Sequence, residues 1–319
     1  MSKKTRGPKL RGRAGKMIAR HKRQVAKHQR SSDSNFIASA DWFGNVYVWP
    51  VWSKTPTMTI ETAHADRAQD AAFLTDHTRI VSCGFDGAIR VWDVASRDLL
   101  QEHQIFGARI WDVQVSHDER WILARVVTPQ SSTHRIWPVS EGVIDFSSER
   151  SFDHPVGFVP AHTDTIWSRA KQATTISIRT LSSDAPITSI PARGVPTPAA
   201  FSRDGTKVVL QTNGARGLAV YDLTTGKVSR RVSQQHGQAN WMHPCLADDG
   251  SLFAAFLGYG VLMWDVETGT QWMPEKANHT DVTTAMCFAT DGTTLVTSGW
   301  DRTIRFWDLQ GYIHQMQSS

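Results

Sequence analysis

The first thirty residues of this 319-residue chain contain no acidic residue and no aromatic one. They hold twelve Lys or Arg instead. Like charge at that density repels itself, and the few apolar side chains cannot offset the entropy of ordering the backbone. Residues 1–30 therefore read as a disordered basic tail. The lack of aromatics excludes base stacking. What remains for a nucleic-acid role is counterion release by Lys3, Lys4, Arg6, Lys9, Arg11, Arg13, Lys16, Arg20, Lys22 and Arg23. A localisation signal and a merely solvated tail are the other readings of the same residues. The net charge of +5 averages two unlike regions, since 35 minus 12 leaves 23 basic residues against 30 acidic beyond Arg30.

Cysteine is scarce too. Cys83, Cys245 and Cys287 are odd in number and form no CxxC, which excludes a disulfide framework and points to reduced strand residues in an intracellular protein, in the cytoplasm or, in a eukaryote, the nucleus. The thirteen His are scattered without a metal-ligand spacing. Gly194, Gly205 and Gly214 are turn glycines and form no phosphate loop. The longest apolar run, Leu252–Trp264, is 13 residues long and broken by Gly258 and Gly260, whereas a membrane span needs about 20. No apolar core of a secretory signal is visible near the N-terminus. These absences leave no expected cofactor, metal, membrane or small-molecule substrate.

What is present is a repeat. The stretch HADRAQDAAFLTDHTRIVSCGFDGAIRVWD, from His64 to Asp93, returns as HTDVTTAMCFATDGTTLVTSGWDRTIRFWD from His279 to Asp308. In both copies the His lies 18 residues before a hydroxyl residue, 22 before an Asp and 28 before a Trp: His64, Ser82, Asp86, Trp92 and His279, Thr297, Asp301, Trp307. Anchoring on the aromatic gives Trp49, Trp92, Trp137, Ile178 (aromatic lost), Tyr221, Trp264 and Trp307, with steps of 43, 45, 41, 43, 43 and 43 residues. Each unit shows short β-rich runs separated by Asp-Gly and similar turns. Four such strands cannot bury both faces alone, so seven units must stack and close.

Residues Phe36 onward resemble the WD40-repeat family, most specifically in units two and seven. The resemblance implies an all-β fold: a seven-bladed β-propeller of four-stranded antiparallel blades over residues 31–319, preceded by the basic tail. It also implies that the His, Ser or Thr, Asp and Trp form a structural network. A hydrolytic triad from His64, Ser82 and Asp86 is rejected, because Ser82 lies in an interior strand and the set occurs twice. In the family an N-terminal strand commonly completes the last blade. Here Tyr312–Gln317 is expected to supply that strand, and blade one looks short of an inner strand. His21 falls 18 residues before Ser39, as a repeat position or by coincidence; the polar run between them favours coincidence. Unit four, roughly Pro155–Ile190, is the most degenerate.

Propellers of this family bind partners on the face carrying the turn between the second and third strands. The residue before the turn Asp is Phe85 in unit two and Trp300 in unit seven, and alignment puts Trp42 there in unit one. Three large aromatics at one rim position form a candidate interaction patch, which Leu257, Tyr259 and Arg302 extend. The expected function is a non-enzymatic scaffold docking protein partners on this face, within a larger complex. The alternative is a nucleic-acid-associated subunit using the basic arm. A propeller enzyme is the remote alternative.

Overall fold

A computed structural model describes residues 16–313, with the exception of 22–23, 32, 34, 75–76, 171–172, 192–199, 213–216, 234–241, 258–259, 273–278 and 311–312. The strands form seven antiparallel sheets. Six have four strands; in the third, two short segments, Val143–Ile144 and Arg150–Phe152, share the outer place against Ser132–Ser140. Unit four is regular despite its sequence, with strands Val156–Phe158, Thr165–Ser168, Thr175–Thr180 and Pro186–Pro191. The protein is a seven-bladed β-propeller.

Ring closure follows from where the apolar side chains go. The buried residues fall into seven clusters, each drawing on two adjacent blades. One cluster joins Val25, Ile37, Tyr47 and Trp49 of blade one to Val296, Ile304 and Phe306 of blade seven. Another joins Ala38, Val46 and Val48 to Ala71, Ile80 and Trp92 across blades one and two. A strand buried on both faces by its neighbours cannot be left at an open end, so the apolar faces themselves require a closed ring.

The N-terminal segment corrects the sequence reading. Lys16–Arg20 pairs antiparallel with Thr303–Asp308 as the outer strand of blade seven, from Lys16 opposite Trp307 to Arg20 opposite Thr303. Val25–Arg30 pairs with Phe36–Asp41 as the inner strand of blade one. The disordered tail drawn to residue 30 is thus overturned from Lys16 onward. Lys16–Arg20 takes the outer place of blade seven that was expected of Tyr312–Gln317, a stretch that lies, apart from Ile313, outside the described residues. Charge was no obstacle, because inner strands line a central channel where ionic partners are available. Lys27 Nζ donates to Asp70 Oδ2 at 3.0 Å, and Gln29 Nε2 donates to the same oxygen at 2.9 Å. Burial opposes the charge on Lys27, yet Asp70 and Asp112 raise its pKa, so it stays protonated. Arg30 pairs with Asp248 of blade six across the channel. No helix among the described residues is long and apolar enough to cross a membrane.

Candidate partner-binding face

The turns at one end of the ring are held by the repeated polar set. In blade two His64 Nδ1 lies 2.9 Å from Asp86 Oδ1, and its Nε2 lies 2.8 Å from Ser82 Oγ. Trp92 Nε1 donates to the same hydroxyl at 2.9 Å. Blade seven repeats this with His279 to Asp301 at 2.9 Å, His279 to Thr297 at 2.9 Å, and Trp307 Nε1 to Thr297 at 3.0 Å. An arginine four residues after each Asp completes the set: Arg90 donates to Asp86 and Arg305 to Asp301, each at 2.7 Å. Burial opposes the charge on both carboxylates, but the His and the other donors hold their pKa values well below the usual range. Burial also lowers the pKa of His64 and keeps its ring neutral. The glycines before the turn leave room for the ring. A Cβ on Gly84 would lie 2.7 Å from His64 Nδ1, and one on Gly299 would lie 2.8 Å from His279 Nδ1. Ser82 has zero exposure, and its oxygen is shared by His64 and Trp92, so no substrate carbonyl reaches it.

The family model described as WD domain, G-beta repeat matches residues 54–93 and 274–308, the units that carry these two complete sets. The Cps50 (Swd1) β-propeller domain of Myceliophteria thermophila superposes over 92% of this chain and 100% of its own, with a TM-score of 0.75 at 13% identity. The chain carries WD40 repeats on a propeller fold. Among curated relatives, Autophagy-related protein 16 of Arabidopsis thaliana is 22% identical over 249 residues, 77% of this chain and 39% of its own length. Target of rapamycin complex subunit wat1 of Schizosaccharomyces pombe is 32% identical over 95 residues, 29% of each chain. The WD40 chain thus spans well under half the length of these relatives.

On this WD40 propeller, Trp42, Phe85 and Trp300 occupy equivalent places. Each backbone N–H donates to the residue just before its own inner strand: Trp42 to Gln24 O at 3.2 Å, Phe85 to Arg67 O at 2.9 Å, Trp300 to Val282 O at 2.8 Å. Trp42 and Trp300 meet edge to face with centroids 4.8 Å apart. Phe85 reaches them through Arg67, whose guanidinium carbon sits 4.1 Å from the Trp42 centroid and 5.9 Å from that of Phe85. The row continues into blade three, where Trp111 lies 4.9 Å from Phe85. Arg109 covers Phe85 at 5.3 Å, and Arg125 covers Trp111 at 5.8 Å. Phe43, beside Trp42, is 57% exposed, and Phe106 is 89% exposed in a loop tied to the blade-two turn by Ile105 N–H to Gly87 O. Aromatics and arginines alternate across blades seven, one, two and three.

Arg302 is exposed two residues beyond Trp300, in a turn with φ of +64°. Tyr259 lies outside the described residues, as does the side chain of Leu257. Lys3, Lys4, Arg6, Lys9, Arg11, Arg13, Lys22 and Arg23 also lie outside them, while Lys16 and Arg20 belong to the outer strand of blade seven. Sequence reasoning missed Arg67, Arg109 and Trp111. Trp111 falls between Ile110 and Asp112, where the inner strand of blade three shifts register. Such a bulge re-aims a side chain that alternation alone would assign to packing. Blade two shifts register at the equivalent point, between Ala68 and Asp70.

Proposed function

We propose that this propeller is a non-enzymatic scaffold that docks a protein partner on the face formed by the Trp42, Phe85 and Trp300 turns. The observation that carries the reading is the continuous aromatic and arginine row on four consecutive blades. Rings at this density, rimmed by charged groups, have the composition of a binding hot spot. The relative wat1 is by its name a complex subunit, which suits a docking role. The polar sets beneath the row are structural: each hydroxyl is buried and consumed by a His and a Trp. A nucleic-acid role for the N-terminal residues has less to rest on, because Lys27 and Arg30 neutralise Asp70 and Asp248 inside the ring.

The test is affinity purification with the Trp42→Ala, Phe85→Ala, Trp300→Ala triple variant. The variant is expected to keep the melting behaviour of a folded propeller and to lose the proteins that copurify with the wild-type chain. An unchanged set of copurifying proteins overturns the proposal.

A further inference from the structure

We infer that the partner segment docked here is an acidic peptide, with carboxylates flanking an apolar anchor and gripped by Arg67 and Arg109. The inference rests on the docking role proposed above and adds the chemistry of the occupant. Arginines with a structural task on this face are visibly paired. Arg90 binds Asp86 and also Glu102 at 2.6 Å, and Arg305 binds Asp301. Arg67 and Arg109 make no ion pair and no side-chain hydrogen bond among the described residues, although each lies against a ring. Stacking occupies the flat face of a guanidinium and leaves its N–H edge free. That edge is the part that matches a carboxylate, often bidentately. Holding the group flat on a ring also removes rotamer freedom before the ligand arrives, so less is lost on binding.

Charge supports the same occupant. Beyond residue 30 the chain has 23 basic and 30 acidic residues, so unpaired guanidinium groups concentrated on one edge run against the trend of the body. Among the described residues Arg125 makes only a 3.4 Å contact to Ser132 Oγ besides its ring, and it adds a third cation to the row. The geometry disfavours a nucleic acid. Single-strand binding uses free aromatic faces as base platforms, whereas the guanidinium of Arg67 sits over the Trp42 ring and that of Arg109 over the Phe85 ring. What the row offers a ligand is N–H edges alternating with ring edges, which suits carboxylates alternating with an apolar side chain.

A dodecapeptide display library selected on the full-length chain tests this. Selected peptides are synthesised with a fluorescent label, together with counterparts in which Asp and Glu become Asn and Gln. The selected peptides are expected to be rich in Asp or Glu around an aromatic or Leu. Their amide counterparts should bind roughly tenfold more weakly or worse, since hydrogen bonds between charged partners are the strong ones. The Arg67→Gln, Arg109→Gln double variant should lose a similar roughly tenfold for the acidic peptides and little for the amide ones. Arg109→Gln alone, at an exposed side chain, gives the same readout should the double variant melt early. If acidic and amide peptides bind wild type and both variants alike while Trp42→Ala, Trp300→Ala abolishes binding, the acidic occupant is overturned and the docking role stands. If the aromatic variant also leaves binding intact, the docking role falls with it. An oligouridylate RNA that binds more tightly than any selected peptide, and is lost in the arginine variant, overturns the peptide in favour of nucleic acid.

Discussion

Blade one and blades two and seven solve the same packing problem with different residues. All three tie a buried His to a hydroxyl and a Trp; in blade one these are His21, Ser39 and Trp49, at 2.9 Å for each contact. In blades two and seven a Gly follows two residues after the hydroxyl, then an Asp at the turn and an Arg four residues later. Blade one has Asp41, Phe43 and Tyr47 at those places. The carboxylate has in effect moved two residues upstream. It accepts from Tyr47 at 3.1 Å, from Asn45 at 3.0 Å and from the Phe43 N–H at 2.9 Å, but sits 3.9 Å from His21 Nδ1. That nitrogen has no hydrogen-bond partner among the described residues. Moving the acid inward frees the turn position, and Phe43 there is 57% exposed beside Trp42. One position is structural in two blades and surface in the third. A repeat therefore tolerates losing a network residue at a turn when another donor or acceptor in the blade can be rewired.

The largest way to break the comparison is to remove what blade one adds. Deleting residues 1–30 takes the inner strand of blade one and the outer strand of blade seven together, and strips Lys27 from Asp70. Leaving a buried charge unpaired costs about 3–5 kcal/mol by itself, on the scale of a whole domain's stability. The truncated chain is expected to show no cooperative thermal transition, whereas a deletion ending at Gly15 keeps both strands and keeps the transition. A normal melt from the longer deletion contradicts the strand assignments.

Acid should separate the blades next. Burial lowers the pKa of His21 and of His64, and lowers that of His28 to about 3, with His279, His21 and Lys27 adding to it. In the unfolded chain these rings titrate near ~6.5. Below that pH the unfolded state binds more protons than the folded one, so stability falls as pH falls. For His28 the slope is roughly 1.4 kcal/mol per pH unit from about 6.5 down toward its folded value. Asp86 and Asp301 have depressed pKa values, so their contribution is retained until pH drops through the ordinary carboxylate range. Between pH 6.5 and 4.5 the loss is therefore due to histidine; burial also lowers the pKa of His103 and His134, so blade one supplies two of the five. Urea midpoints across that range, for wild type and His28→Gln, measure it. A flat wild-type profile rules the idea out.

Exchanging residues at the turn position sharpens the contrast at one place. Asp86→Ala and Asp301→Ala each remove the carboxylate that a buried imidazole and an arginine share, at a cost on the order of 1–3 kcal/mol. Phe43→Ala at the equivalent position removes an exposed ring and should stay within about 0.5 kcal/mol of wild type. Equal losses at the three positions, read from denaturant midpoints, refute the division of roles.

Much of this was legible in the sequence because the aromatic frame is covalently periodic. Trp49, Trp92, Trp137, Trp264 and Trp307 recur at nearly constant spacing, and each packs at a blade junction. The N-terminal strands were not legible for a physical reason. Binary patterning assigns Lys27, Gln29 and Arg30 to solvent, but an inner strand faces neighbours across a channel, where a charge can be paired. The signal was there in spacing: Lys27 and Asp70 are 43 residues apart, one full repeat. The rim was half legible. The turn aromatics followed from alignment. The arginines between them sit at the starts of the inner strands, where sequence alone does not say which ring they cover.

The smallest effect concerns blade three, which lost the polar set entirely. Trp137 is fully buried and its Nε1 has no hydrogen-bond partner among the described residues. Ser39, Ser82 and Thr297 supply the acceptor in blades one, two and seven, and the register places Ala124 at that point: Trp137 pairs with Ile122, as Trp92 pairs with Ile80 two residues before Ser82. Ala124 is itself fully buried. Ala124→Ser adds one oxygen beside an unpaired donor. The new hydroxyl must lose its own hydration, but it gains the indole as a donor, and the indole stops being an orphan. A net gain of about 1 kcal/mol is expected, or a rise of roughly 2 °C in melting temperature for a chain of this size. Ala124→Val serves as the control for added volume without an acceptor and should destabilise by overpacking. If Ser and Val substitutions destabilise alike, the indole has found a partner outside the described contacts, and the polar set counts for less in blade three than in blades two and seven.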